Sequence, residues 1–128
     1  MSNRILVIED NPANMELVRY VLEAFGYAVC AAVDGESGLA LALADPPDLV
    51  ICDLQLPGID GIEVAKRLKA QSGFAHIPLV ALTAYAMVGD RERVLAAGFT
   101  SYLTKPVQFG ALKQAIESAL GARQDPPG

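Results

Sequence analysis

Leu49-Val50-Ile51-Cys52-Asp53-Leu54-Gln55-Leu56-Pro57-Gly58 is the stretch that decides the fold. Four apolar residues, β-branched at Val50 and Ile51, run into a carboxylate, and Pro57-Gly58 turns the chain soon afterwards. An unbroken apolar run of this length reads as a strand buried on both faces, and a Pro-Gly pair as the turn that follows it. Asp53 then falls at the carboxyl end of a central strand, where open α/β sheets bind their ligands. Alone, the stretch is equally compatible with a carboxylate that merely ends a strand or opens a turn.

The flanking sequence repeats the same unit. Upstream, Arg4 to Glu9 is a short apolar strand that delivers Glu9-Asp10 to its end. Asn11-Pro12 starts a helix, with Asn as N-cap and Pro at the first helical position, and Gly26 stops it after Phe25. At roughly 100° per residue, Val18, Val21, Leu22 and Phe25 share one core-facing arc, while Leu17 and Tyr20 lie outside it. Ala28 to Val33 is a second strand, and Asp34-Gly35 opens a helix through Ala44. Downstream of Gly58, Ile62, Val64, Ala65 and Leu68 mark a helix with Lys66, Arg67 and Lys69 near its end, where cations suit the helix dipole. A fourth strand, Leu79 to Leu82, ends at Thr83. A helix from Gly89 to Ala97 follows, stopped by Gly98, and then a fifth strand, Ser101 to Thr104. Lys105-Pro106 leads into a last helix from Val107 to Leu120. Residues 1–121 are expected to form one domain and 122–128 a flexible tail.

Five strand–helix units in alternation predict an α/β fold: a five-stranded parallel doubly wound sheet, helices on both faces, joined by right-handed crossovers. Of the common doubly wound orders, five strands fit 2-1-3-4-5, which sets the first and third strands side by side with a switch point between their carboxyl ends.

Composition narrows the function. The 128 residues carry a net charge of −5 and no Lys/Arg run, which disfavours direct nucleic-acid binding. No apolar stretch reaches membrane-spanning length and no signal-peptide pattern follows Met1, so a cytoplasmic protein without membrane contact is expected. Met1 and the short tail favour a complete gene product. Cys30 and Cys52 sit in apolar runs and read as free core thiols. His76 is the only histidine, which excludes a multi-histidine metal site and reads as a loop residue before a strand.

In the 2-1-3-4-5 order, Glu9, Asp10, Asp53, Thr83 and Lys105 converge on one edge. Taken singly, Glu9-Asp10 reads as strand-end solvation, and Thr83 and Lys105 as ordinary surface residues. Together they make a chemical set. Crowded carboxylates repel one another unless a divalent cation neutralises them, and an all-oxygen set suits Mg²⁺. A hydroxyl and a mobile ammonium suit phosphate oxygens. A carboxylate in that company is equipped to act as a nucleophile and form an aspartyl-phosphate.

Ile8-Glu9-Asp10-Asn11, Cys52-Asp53 with Leu56-Pro57-Gly58-Ile59-Asp60-Gly61, Leu82-Thr83-Ala84, Tyr102 and Lys105-Pro106 make the chain resemble the receiver domain of two-component response regulators, with its flavodoxin/CheY-like (βα)5 sandwich. Asn14-Met15 and Ala75-His76-Ile77-Pro78, leading to Thr83-Ala84-Tyr85-Ala86-Met87, make it most similar to stand-alone receivers of the DivK kind and to receivers attached to hybrid histidine kinases. The resemblance implies that Asp53 accepts a phosphoryl group from a sensor histidine kinase or a histidine phosphotransfer protein. It implies that Glu9, Asp10, Asp53 and the backbone carbonyl of Gln55 hold Mg²⁺ (or Mn²⁺), with Glu9 acting largely through water. Thr83, Ala84 and Lys105 would bind the phosphoryl group, Tyr102 would turn inward as Thr83 moves, and the Lys105–Pro106 bond would be cis. Gln55 and Tyr85 are expected to tune phosphate lifetime. Asn14, Leu17 and Tyr20 are expected to contact the partner.

Such a protein is not an enzyme beyond its own Mg²⁺-dependent phosphorylation and autodephosphorylation. It signals by protein contacts, as a monomer or a weak phosphorylation-linked dimer. A receiver segment of a hybrid kinase or a larger regulator would look alike. A Mg²⁺-dependent phosphohydrolase of the haloacid-dehalogenase kind would carry an acid where Gln55 stands, and a flavodoxin-like carrier would need a Gly- or hydroxyl-rich loop where Glu9-Asp10 stands. A pseudo-receiver that is never phosphorylated is opposed by the full acidic set with Lys105.

Overall fold

The structure, a computed structural model, describes residues 3–84 and 90–124. Strands and helices alternate: β1 (Arg4–Ile8), α1 (Pro12–Ala24), β2 (Ala28–Ala32), α2 (Gly35–Ala44), β3 (Leu49–Asp53), α3 (Gly61–Lys69), β4 (Leu79–Thr83), α4 (Asp90–Ala96), β5 (Ser101–Thr104) and α5 (Phe109–Gln124). The five strands form one sheet in the order β2-β1-β3-β4-β5, every pair parallel. The topology is the expected one.

Strand periodicity divides the core into two layers. Ile5, Val7, Leu49, Ile51, Val80 and Leu82 face α1 and α5, where they meet Val18, Val21, Leu22, Leu112 and Ile116. Their neighbours Leu6, Ile8, Val50, Cys52, Leu79 and Ala81 face α2, α3 and α4, against Ala42, Val64, Leu68 and Val94. Both β3 and β4 are buried along their whole length, as a central parallel strand packed on both faces must be. Each of their Val, Leu and Ile side chains contributes about 1.5–3 kcal/mol through burial, which fixes the register and so the position of the residue that ends each strand.

Three helices open at the carboxyl edge of the sheet, each with a side-chain cap. Asn11 Oδ1 accepts from the N–H groups of Ala13 and Asn14, Asp34 Oδ1 from Ser37 N–H at 2.7 Å, and Asp60 Oδ1 from Glu63 N–H at 2.9 Å. Asp34 is held below the usual carboxylate range by its hydrogen bonds to the Ser37 side chain and backbone. The expected glycine stops of α1 and α4 stand at left-handed dihedrals, φ +94° at Gly26 and +114° at Gly98, a region that costs other residues steric strain.

Some boundaries differ from expectation. β1 and β2 each end one residue early, and Val33 is 63% exposed. α5 begins at Phe109 and runs through residues 122–124, which were expected to belong to the tail. Ala122, Arg123 and Gln124 are good helix formers and a lone Gly121 does not outweigh them; the first strong breakers are Pro126 and Pro127. The remaining tail residues, 125–128, lie outside the described part. Cys30 and Cys52 are free thiols, Cys52 buried and Cys30 only half-buried at the β2 edge, and His76 is an exposed loop residue.

Candidate functional site

The register of β1, β3 and β4 assembles the site. Ile8 pairs with Cys52 and Asp53 with Leu82, so the residues just beyond β1, at the end of β3 and at the end of β4 emerge side by side. Leu54 N–H donates to Leu82 carbonyl at 2.9 Å, and Lys105 N–H to Thr83 carbonyl at 2.8 Å, tying the loops after β3 and β5 to β4. The Lys105–Pro106 peptide is cis.

At the centre lies Asp53, 1% exposed. Its Oδ1 accepts the Gln55 N–H at 3.0 Å and its Oδ2 accepts Lys105 Nζ at 2.6 Å. Lys105 Nζ also lies 2.9 Å from Glu9 Oε1. That contact is an ion pair without hydrogen-bond directionality, for Glu9 Oε1 is buried and has no directed hydrogen bond among the described residues. Glu9 Oε2 accepts the Asn11 N–H at 3.1 Å. Burial raises the Glu9 pKa, and the Lys105 ammonium and the Asn11 N–H offset this only in part. Burial lowers the Lys105 pKa, but the hydrogen bond to Asp53 and the Glu9 carboxylate beside it outweigh that and the net shift is upward. Burial and the neighbouring carboxylate likewise push the Cys52 thiol up, so it stays protonated and is no nucleophile.

Oxygens of Glu9, Asp10 and Asp53 all lie within 4.8 Å of one another. At such distances each pair of like charges costs about 3–4 kcal/mol at an effective dielectric of about 20, and a single ammonium cannot offset three carboxylates. Two of the three are buried while Asp10 is exposed, so the cluster is open on one side. A hard, all-oxygen donor set, with Glu9 Oε1 buried and met by an ion pair but no directed hydrogen bond among the described residues, fits a divalent cation such as Mg²⁺ that keeps some of its waters.

Gly61 shapes the loop from below. Its N–H donates to the Leu54 carbonyl at 3.1 Å, and a Cβ there would run into the Asp53 carbonyl oxygen and the Leu54 Cα. Only glycine lets α3 begin this close to the end of β3. Thr83 is buried at the end of β4, and Tyr102 is half-buried against the α2–α4 layer. From Glu9 and Asp10 a cleft of about 600 Å³ runs along α1, lined further by Met15, Arg19, Tyr20 and Val33.

The family model of the response regulator receiver domain matches residues 5–117. The chain belongs to the response regulator receiver domain family. The polar-differentiation response regulator DivK of Brucella ovis is 40% identical over 121 residues, covering 94% of this chain and 98% of DivK. A CheY-like response regulator receiver domain protein from Methanospirillum hungatei superposes with a TM-score of 0.90 at 27% identity, covering 97% of this receiver and 98% of that chain. The receiver domain of sensor histidine kinase PA1611 from Pseudomonas aeruginosa superposes with a TM-score of 0.88 at 34% identity, covering 94% and 99%; it has a magnesium ion coordinated in its active site cleft. Receivers are signalling domains of two-component systems rather than classical enzymes.

In this receiver Glu9, Asp10, Asp53, Gln55, Thr83, Ala84 and Lys105 all lie at one edge. Tyr85 lies outside the described residues. Of the three residues expected to meet a partner, Tyr20 lines the cleft and is 71% exposed, Leu17 is 42% exposed without lining it, and Asn14 is half-buried. Arg19 and Val33 also line the cleft, and so does Met15, which the sequence offers only as part of the resemblance; the signal for Arg19 and Val33 is the charged residue on α1 and one apolar residue just past β2. No helix among the described residues is long and apolar enough to cross a membrane.

Proposed function

We propose that this chain is a single-domain response regulator of a phosphorelay, accepting a phosphoryl group on Asp53 from a phosphohistidine of a sensor kinase or phosphotransfer protein. The observation that carries the reading is the Asp53 carboxylate itself, buried, gripped at both oxygens and set between two further carboxylates and Lys105. One Asp53 oxygen attacks phosphorus, the phosphorus–nitrogen bond to the imidazole breaks, and its electron pair returns to the imidazole nitrogen. Burial strips water from the nucleophile. Lys105 moves from the free carboxylate to the incoming phosphoryl oxygens, and Thr83 and the Ala84 N–H bind others. Glu9, Asp10, Asp53 and the Gln55 carbonyl would hold Mg²⁺, which supplies charge neutralisation for the transferring group. Such chemistry needs positioning and electrostatics more than proton transfer, in keeping with a site without histidine. Tyr102, half-buried now, fills the space Thr83 leaves.

The coverage of DivK nearly end to end supports the single-domain form, and signalling then runs through protein contacts in the cytoplasm. The decisive experiment exposes the protein to Mg²⁺ and acetyl phosphate and follows intact mass. One labile phosphoryl adduct is expected on wild type and none on Asp53→Asn; an equal adduct on that variant overturns the reading. A partner's helical face meets α1 at Leu17 and Tyr20, with Asn14 beside them. Leu17→Ala combined with Tyr20→Ala should slow transfer from a phosphohistidine donor while leaving acetyl phosphate labelling intact. Equal slowing with both donors would assign these residues to the fold instead.

A further inference from the structure

Gln55 links two parts of the site, the loop after β3 and the end of β4, which lie 28 residues apart in sequence. Its backbone N–H donates to Asp53 Oδ1 at 3.0 Å. Its side-chain Nε2 donates to Thr83 Oγ1 at 3.4 Å, and its Oε1 accepts the Ala84 N–H at 3.4 Å. One exposed carboxamide therefore spans from the loop after β3 to the end of β4, where it engages both the hydroxyl and the backbone N–H. We propose that Gln55 is a positioning residue that latches the unphosphorylated state: its carboxamide holds Thr83 and the Ala84 N–H, so that a phosphoryl group on Asp53 must displace it to be bound. The inference rests on Asp53 being the phosphoryl acceptor and adds what opposes capture of the phosphoryl oxygens.

The chemistry sets the direction and the size of the effect. The Ala84 N–H has one proton to give, and a phosphoryl oxygen competes for it directly with Gln55 Oε1. A charged phosphoryl oxygen is the stronger acceptor, because charge-assisted hydrogen bonds are roughly twice as strong as neutral ones. The two latch bonds are long for N–H···O contacts, which have a mode of about 2.9–3.0 Å. A weak latch suits a switch, since it yields to the phosphoryl group but still biases the resting protein. The bias can be no larger than the free energy difference between latched and open states. Gln55 is joined to the acceptor through its own backbone N–H, so a change at the Asp53 carboxylate is felt at the residue that holds the latch.

Gln55→Met keeps the length of the side chain and the backbone carbonyl while removing both latch bonds. With beryllium fluoride and Mg²⁺ as the phosphoryl mimic, Gln55→Met should bind more tightly than wild type by roughly 2- to 10-fold, the range set by one net hydrogen bond. The Ala84 amide resonance of the Mg²⁺-loaded, mimic-free variant should also shift toward its position in the mimic-bound protein. A generally loosened loop would not produce that pair of results, because it would weaken binding. Unchanged or weaker binding by a folded Gln55→Met, or an Ala84 resonance that stays in place, overturns the latch and leaves Asp53 as acceptor untouched. If wild type takes neither acetyl phosphate nor beryllium fluoride, the acceptor reading fails and the latch falls with it.

Discussion

The two edges of the sheet use charge in opposite ways. At the amino edge two cations, Arg4 and Lys69, bind down loops. Arg4 reaches Asp45 Oδ2 and the Asp45 carbonyl, each at 2.6 Å, and the Pro46 carbonyl at 3.0 Å, while its own N–H donates to Asp48 Oδ2 at 2.7 Å. Lys69 turns back from the end of α3 to the carbonyls of Phe74, Ala75 and Ile77, at 3.3, 3.2 and 2.7 Å. At the carboxyl edge three carboxylates crowd together, and the Lys105 ammonium pairs with two of them, Glu9 and Asp53. At the first edge the terminal nitrogens of Arg4 and the Lys69 ammonium meet acceptors and hold the chain in place, although Arg4 Nε is buried without an acceptor among the described residues. At the second, carboxylates are left in excess, and the excess is what can attract a dication and a phosphoryl group. Stability and function are thus separated by the length of a five-residue strand.

The largest expected effect tests the amino edge. Lys69→Met removes the donor from three carbonyls of the loop that leads into β4. Hydrogen bonds to a charged group are worth about 1.5–3 kcal/mol, and the loss should fall in that range by urea denaturation. Burial lowers the Lys69 pKa, yet the ammonium still finds three acceptors where water is partly excluded. Acetyl phosphate labelling of Asp53 should survive in the folded variant. A variant as stable as wild type, or one that is stable but cannot be labelled, would erase the division between edges.

The carboxyl edge is tested by adding the ion it is short of. Mg²⁺ at ten times its dissociation constant should stabilise wild type by about 1.4 kcal/mol through binding linkage, read as a rise in the urea midpoint. Asp10→Asn should lose that gain, and its metal-free form should be no less stable than wild type, because removing one of three like charges relieves repulsion. If metal-free Asp10→Asn proves clearly less stable, the carboxylates are part of the scaffold and the contrast between edges is wrong.

How far the sequence reveals each edge follows from the range of the interactions. Strand order and the convergence of Glu9, Asp10, Asp53, Thr83 and Lys105 follow from local apolar runs and the geometry of parallel crossovers. The caps Asn11 and Asp34 lie next to the helices they start. Asp60 went unrecognised as a cap because Pro57-Gly58 drew the turn signal three residues early. Lys69 read as a cation suited to the helix dipole, since nothing local says that its long side chain folds back over the following loop. The Gln55 contact to Thr83 spans 28 residues in sequence and exists only once β3 and β4 are in register. The cleft lining at Val33 and Arg19 similarly requires α1 and the loop after β2 to be placed together.

The smallest expected effect is a control between the two edges. Glu63 and Arg67 form an i,i+4 pair along α3 with Nε to Oε2 at 2.8 Å, each side chain about half exposed. The distance falls within the range seen at either edge, and the orientation, with the acid nearer the N-terminus, is the favourable one. What differs is the solvent. Water screens both charges before and after the pair forms, and two flexible side chains lose freedom in forming it, so exposed helix pairs contribute about 0.3–0.5 kcal/mol. Arg67→Ala should therefore lower stability by no more than about 0.5 kcal/mol, with Mg²⁺ binding and Asp53 labelling unchanged. A loss above about 1 kcal/mol would mean that distance, rather than access to water and the number of acceptors met, decides what a charge does in this fold.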